Sequence, residues 1–287
     1  MATFSNQAAL SYRNSVTNSN IVVGELQEAL SATKTAVSTN YENGGTVTYA
    51  ISLVNSDTVP YTGLTVTDNL GAYAFAAATL YPLRYVPGSL RYYVNGVLQT
   101  APAVQPGPPM VITGVAVPAG GNALLVYEVE TTEYAPLVAG STVTNSATVT
   151  GAQLPAALTA AATLPVQDSV ELTISKAISP ATVAENGQLT YTFVIQNSGN
   201  TATVPADNVV VSDTFQPVLS DVTAALGDTA QNSTVLGAGE YSYSAATGAF
   251  STTPGAITVP AATYTQDATG SFVVTPGVAV LTVTGTV

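Results

Sequence analysis

Residues 46–54 alternate polar and apolar, and Val47, Tyr49, Ile51 and Leu53 fall on one face. A period of two is the mark of a half-buried strand. Further runs rich in β-branched and aromatic residues occupy 124–129, 142–149, 189–195, 209–211 and 278–287. Between them lie turn clusters such as Glu42-Asn43-Gly44-Gly45, Asn95-Gly96, Pro106-Gly107-Pro108 and Asn197-Ser198-Gly199-Asn200. Helical periodicity is faint and confined to residues 24–31. Many short strands separated by polar turns predict an all-β chain built of sandwiches.

The pattern also repeats. Glu42-Asn43-Gly44 leads to Tyr49, Asn55 and Val66-Thr67-Asp68; Glu185-Asn186-Gly187 leads to Tyr191, Asn197 and Val211-Ser212-Asp213. Tyrosine and asparagine are six positions apart in both copies, and each copy is preceded by a short strand with one lysine, Lys34 or Lys176. The reading is two tandem sandwiches at 31–151 and 170–287, joined by a linker or edge strand at 152–169 and preceded by a segment at 1–30.

The strand lysine, the Glu-Asn-Gly turn, the Tyr-x-Ile/Phe strand and the Val-Thr/Ser-Asp strand together resemble an Ig-like repeat of bacterial and archaeal surface proteins. That family is catalogued mostly as a domain of unknown function. The resemblance spans nearly the whole chain. It implies two Ig-like β-sandwiches and an extracellular structural or adhesive role, as in a filament- or pilin-like subunit.

The two copies end differently. After Leu124–Val129 the first continues into Thr142-Val143-Thr144-Asn145-Ser146-Ala147-Thr148-Val149-Thr150, whereas the second has no such segment after residues 279–284. Its counterpart stands at the front of the chain, where Thr3-Phe4-Ser5-Asn6-Gln7-Ala8-Ala9-Leu10-Ser11 matches it with Asn6 in the place of Asn145. Residues 1–30 therefore read as the closing strands of a sandwich, with Phe4, Asn6, Ala8 and Leu10 as the donor face. The second sandwich reads as an acceptor, because an unclosed sandwich edge exposes apolar side chains and unpaired backbone groups. The expected partner is another copy of the chain, added as a strand. Donor and acceptor lie at opposite ends, so repetition gives a head-to-tail polymer. Three alternatives stay open in the sequence: residues 278–287 are themselves the last strand, residues 1–30 fold back onto their own second sandwich, or the chain is cut from a longer array.

Composition narrows the chemistry. There is no Cys, His or Trp, which removes thiol nucleophiles, Cys/His metal sites, His-based triads and disulfides. Seventeen acids against five bases give a net charge of −12, leaving almost nothing to displace counterions from phosphate, so no nucleic-acid partner is expected. No apolar stretch is long enough to span a bilayer, and the N-terminus has no basic and apolar succession of a signal peptide. No cofactor and no metal are expected; Asp57 and Asp207-Asn208 lack the spacing of a calcium loop. Tyr81, Tyr85, Tyr92 and Tyr93 suggest a packing or lateral-contact face. The serines lack a recognisable partner, and an enzyme is not expected.

Only two of the five bases are lysines, and both hold the same place in the repeat. The resemblance implies a role for them. In Ig-like modules of Gram-positive pilins and adhesins, a strand lysine joins to an asparagine on the closing strand, assisted by a buried carboxylic acid. Carried over, this gives Lys34, Asn145 and Asp68 in the first repeat, and Lys176, Asp213 and Asn6 of a neighbouring subunit in the second. Glu128 is an alternative acid, although its counterpart is Thr284. The plainer reading is two ordinary ion pairs, Lys34–Asp68 and Lys176–Asp213. The overall expectation is a self-polymerising subunit of an extracellular cell- or spore-surface filament, with an adhesin or stalk module that binds a host or matrix ligand as the second reading.

Overall fold

The computed structural model describes residues 2–26 and 29–287. The fold is all-β, and among the described residues the helical element is a single 3-10 turn, Pro205–Asp207. By contact the chain divides into two units: Met1–Thr39, Gly44–Thr132 and Thr144–Leu164 form one, and Asn40–Asn43, Glu133–Val143 and Pro165–Val287 the other.

In the first unit the alternation around Tyr49 becomes the centre of a sheet. Thr46–Asn55 lies between the lysine strand Leu30–Ala36 and Asn122–Thr131, followed outward by Arg91–Val94 and Val97–Gln99. A second sheet runs Ala103–Gln105, Met110–Val117, the aspartate strand Tyr61–Asp68, the closing strand Thr142–Thr150 and Leu158–Pro165. Val47, Tyr49, Ile51, Leu53, Leu125 and Tyr127 from the first sheet, and Val66, Ile112, Val143 and Val149 from the second, are buried. Each such side chain removed from water contributes about 1.5–3 kcal/mol. Tyr85 and Tyr92 are buried too, while Tyr81 and Tyr93 are half-buried.

The second unit repeats the first sheet. The lysine strand Leu172–Ser179, Gln188–Asn197, Gly277–Thr286, Ser220–Gly227 and Ser233–Val235 follow in order. Gly277–Thr286 pairs with the tyrosine strand along its whole length, so it takes the place of Asn122–Thr131. The reading in which residues 278–287 close the sandwich is thereby set aside. Duplication reaches the turns as well. Asn55 Nδ2 donates to Val59 O and Pro118 O, and Asn197 Nδ2 to Thr201 O and Pro260 O, with sequence separations of 4 and 63 in both cases. Replacing Asn197 with Ala leaves these two carbonyls without their donor, and a loss of about 1–3 kcal/mol in chemical denaturation is expected.

The second sheet is where the repeats part. Tyr61–Asp68 has ladder partners on both sides, Met110–Val117 and Thr142–Thr150. Its counterpart Ser212–Thr214 pairs with Ala249–Thr252 on one side and, among the described residues, with no strand on the other. Leu30 and Lys34 of the first lysine strand are buried, but every residue of Leu172–Ser179 is exposed, Ile174 and Ile178 included.

Residues 2–26 form a long hairpin. Ala2–Asn6 pairs with Val22–Leu26 and Ala9–Tyr12 with Ser15–Asn18, around a turn in which Arg13 and Asn14 both have positive φ. Among the described residues its four strands pair only with one another. The single strand expected over residues 3–11 is interrupted at Gln7-Ala8. There the Ser19 hydroxyl takes the backbone N–H of Ala8, Gln7 Nε2 donates to Ser19 O, and the register shifts by one residue. Such a bulge bends an arm without ending it. The faint helical signal over 24–31 gives way to strand at both described ends; Gln27 and Glu28 lie outside the described residues.

Candidate functional site

Strand register brings Lys34, Asp68 and Asn145 together. Lys34 stands opposite Ile51 on one sheet, and Asp68 stands opposite Ala147, two residues beyond Asn145, on the other. The Asp68 carboxylate is held from the turn that follows its strand, where Leu70 N donates to Oδ1 at 2.8 Å. The second oxygen, Oδ2, receives three donors: Lys34 Nζ at 2.6 Å, the Tyr127 hydroxyl, and Asn145 Nδ2 at 3.5 Å. The side chains of Lys34 and Asp68 are both 0% exposed. Asn145 Oδ1 is buried with no hydrogen-bond partner among the described residues. The lysine nitrogen also sits 4.7 Å from the centre of the Tyr49 ring and 5.9 Å from that of Tyr127.

The electrostatics follow from burial. Desolvation pulls the Lys34 ammonium down to about 8, against the opposing pull of the Asp68 charge. Burial first, and then the neighbouring Asp68 charge, push the Tyr127 phenol well above its ordinary value, so it remains a hydroxyl donor. A proton passing from Lys34 Nζ to Asp68 over 2.6 Å yields a neutral amine and a carboxylic acid in a dry pocket. With that proton in place, the Asn145 carboxamide turned over presents Oδ1 to it, since amide orientation follows the hydrogen-bonding around it. The cluster thus brings an amine, a carboxamide and a carboxyl group together within one buried site.

The second repeat has half of this arrangement. Lys176 stands opposite Phe193, the register that Lys34 has with Ile51, and Lys176 Nζ donates to Asp213 Oδ2. Three rings surround the nitrogen, Tyr191 at 4.4 Å and Phe193 and Phe215 at 5.5 Å each. Yet the Lys176 and Asp213 side chains are 41% and 20% exposed. No asparagine lies across from them among the described residues, where Ser212–Thr214 has no strand partner on its second side. Val283 stands opposite Tyr191 where Tyr127 stands opposite Tyr49, so the phenol that braces Asp68 has no counterpart. An open ion pair of this kind is worth about 0–1 kcal/mol.

The donor-face residues are all in the arm. Asn6 pairs with Val22 there and is exposed, as are Ala8, Leu10 (64%) and Phe4 (56%). Phe4 lies across Gly24, where any added Cβ would meet its ring at 2.4 Å. Position for position, Phe4, Asn6, Ala8 and Leu10 repeat Val143, Asn145, Ala147 and Val149, the four buried residues of the first repeat's closing strand. Closing strand and arm also share their form, because Thr142–Thr150 is followed by its neighbour in the sheet, Leu158–Pro165, just as the arm doubles back.

Glu128 is exposed and opposite Thr48, away from Asp68, because its neighbour Tyr127 takes the inward position. Tyr127 is the residue that sequence reading missed. Its inward phase was visible in the run 124–129, but a search for groups shared by both repeats passes over it. Removing its hydroxyl in Tyr127→Phe takes one donor from a buried carboxylate and is expected to cost about 1.5–3 kcal/mol in denaturant titration. Asp57 and Asp207 satisfy nearby backbone N–H groups, of Thr58 and Val204, and among the described residues no three acidic side chains converge on a metal-sized site. No helix among them is long and apolar enough to cross a membrane.

No protein-family description matches the chain, and no curated protein does. The resemblance to a surface-protein repeat therefore rests on the residues that carry it. Solved structures with similar folds include BcpA, the major pilin subunit of Bacillus cereus, at 11% identity and a TM-score of 0.37, covering 96% of this chain and 73% of that one. The pilus backbone RrgB of Streptococcus pneumoniae matches at 10% identity and a TM-score of 0.34, covering 86% of this chain and 55% of the other. A collagen-binding domain from a Staphylococcus aureus adhesin matches at 9% identity and 0.31, over 48% of this chain and 99% of its own length. Likeness this slight carries no functional argument.

Proposed function

We propose that the chain is a structural subunit of an extracellular filament, polymerising head to tail. The N-terminal arm of one copy enters the open edge beside Ser212–Thr214 of the next. One observation carries this reading: the exposed face Phe4, Asn6, Ala8, Leu10 reproduces the buried face Val143, Asn145, Ala147, Val149, while the equivalent acceptor position in the second repeat has no strand partner among the described residues. Seated in the register of the first repeat, Ala8 faces Asp213 and Asn6 comes over Lys176, closing a second cluster like that of Lys34, Asp68 and Asn145.

Each cluster is suited to form an amide crosslink. The neutral lysine nitrogen attacks the asparagine side-chain carbonyl carbon, a new C–N bond forms, the old one to the amide nitrogen breaks, and ammonia leaves with protons relayed by the aspartate. No oxidant or cofactor is required. The first repeat makes an internal tie, and the second ties subunit to subunit once the arm has excluded water.

Intact-mass measurement after denaturation tests this. The chain should weigh one ammonia less than its sequence for the internal bond, and Lys34→Ala should restore the full mass. Oligomers that survive boiling in detergent should vanish with Asn6→Ala or Lys176→Ala, while microscopy still finds filaments. Full mass in the unaltered chain would remove the crosslink and leave strand addition to be judged by microscopy.

The pH dependence has a definite sign. The reactive pair, neutral amine plus protonated acid, holds the same single proton as the ion pair. Closure measured by mass in chain folding from the unfolded state should therefore be flat near neutrality and fall above about 8, where Lys34 releases its proton. A rate that climbs through that point would show that the acid is not needed.

A further inference from the structure

Five basic side chains serve the chain, and four are engaged. Lys34 and Lys176 hold aspartates, Arg84 reaches Glu130 at 2.8 Å, and Arg91 donates to the carbonyls of Gly88 and Leu90. Arg13 is the remaining one. It sits at the tip of the arm, exposed, with its guanidinium 5.0 Å from the ring of its neighbour Tyr12 and no ion pair among the described residues. Its φ of 46° and that of Asn14, 64°, make a two-residue hairpin turn of the kind that favours Asn, Asp or Gly. An arginine held there despite that preference places the cation at the leading point of the arm.

The acceptor edge carries something the first repeat lacks. From Tyr61, paired with Val117, to Asp68 is seven positions; from Thr203, bonded to Val259 in the matching place, to Asp213 is ten. The three extra residues are the 3-10 turn Pro205-Ala206-Asp207, all exposed. It is inserted just before Asn208, whose left-handed φ of 54° matches the 66° of Gly63. Val204 N donates to Asp207 Oδ2 at 2.7 Å, which fixes the carboxylate at the foot of the edge.

Register then brings the two features together. In the first repeat Ala147 faces Asp68 and Thr150 faces Thr65. An arm laid down the same way sets Ala8 against Asp213, Ser11 against Val210, and Arg13 beside Asn208, next to Asp207. We infer that Arg13 of one copy pairs with Asp207 of the next and that this ion pair selects the register in which the arm is seated. The inference rests on the filament reading above.

The need for such a device is physical. Alternation alone fixes which face of a strand is buried, and a slip of two residues keeps that face. It would, however, carry Asn6 away from Lys176 and forfeit the crosslink. A charge pair at the tip distinguishes the correct register from its even-numbered slips. In a chain of net charge −12 it also gives the approaching arm an attractive charge–charge contact against general repulsion.

Charge exchange tests the pairing in the full-length chain. Arg13→Glu and Asp207→Arg, each alone, should slow elongation followed by light scattering at low salt by about fivefold or more and lower the detergent-resistant fraction. The two together in one chain should recover both readouts to within about twofold, and high salt should erase the differences. Wild-type kinetics and crosslinking in Arg13→Glu would overturn the pairing alone. A wild-type chain that never elongates would overturn the filament reading and the pairing with it.

Discussion

Chain lacking residues 1–26 is expected to remain monomeric at concentrations where the full chain forms filaments, with association weakened more than about 100-fold. The truncation removes no part of either sandwich body, so both units should keep their circular dichroism and cooperative unfolding. What it removes is the strand that completes a neighbour's edge. Strand addition supplies backbone hydrogen bonds along the edge and buries the apolar residues beneath it, and no other contact in the proposed assembly offers both. The arm supplied as a separate peptide should then bind the truncated chain one to one and end there, because the capped acceptor has no donor of its own. Filaments of undiminished length from truncated chain, seen by negative-stain microscopy, would sink the head-to-tail reading.

The second large effect separates two aspartates that look alike in sequence. Asp68→Ala leaves Lys34 without a counter-charge inside the first unit and should lower its stability by about 3–5 kcal/mol in chemical denaturation. Asp213→Ala acts on a pair open to water and should cost at most about 1 kcal/mol in the isolated subunit. Equal losses from the two changes would mean that the exposure difference between Lys34 and Lys176 does not persist in solution.

That contrast also marks how far the sequence could be read. The strands around Tyr49 and Tyr191 and the duplication were legible because they depend on period and spacing, whereas the grouping of each lysine with its aspartate was implied by the resemblance to surface-protein repeats. The grouping of Asn145 with Asp68 was implied by the same resemblance. Tyr127 was not, since Val283 stands in its place and the comparison of copies hid it. The hairpin form of the arm was also missed, because its reversal at Arg13-Asn14 lacks the glycine that announces such turns. The insertion Pro205–Asp207 became visible only once Thr203 and Asp213 were anchored by their hydrogen-bonded partners.

The lysine strand Leu30–Ala36 edges one sheet of the first unit, and Leu158–Pro165, where the chain leaves it, edges the other. Lys34, Asp68 and Asn145 bridge the gap between these two layers. A pull that parted the layers would have to break their contacts, and a covalent link among them would turn a yielding junction into a rigid one.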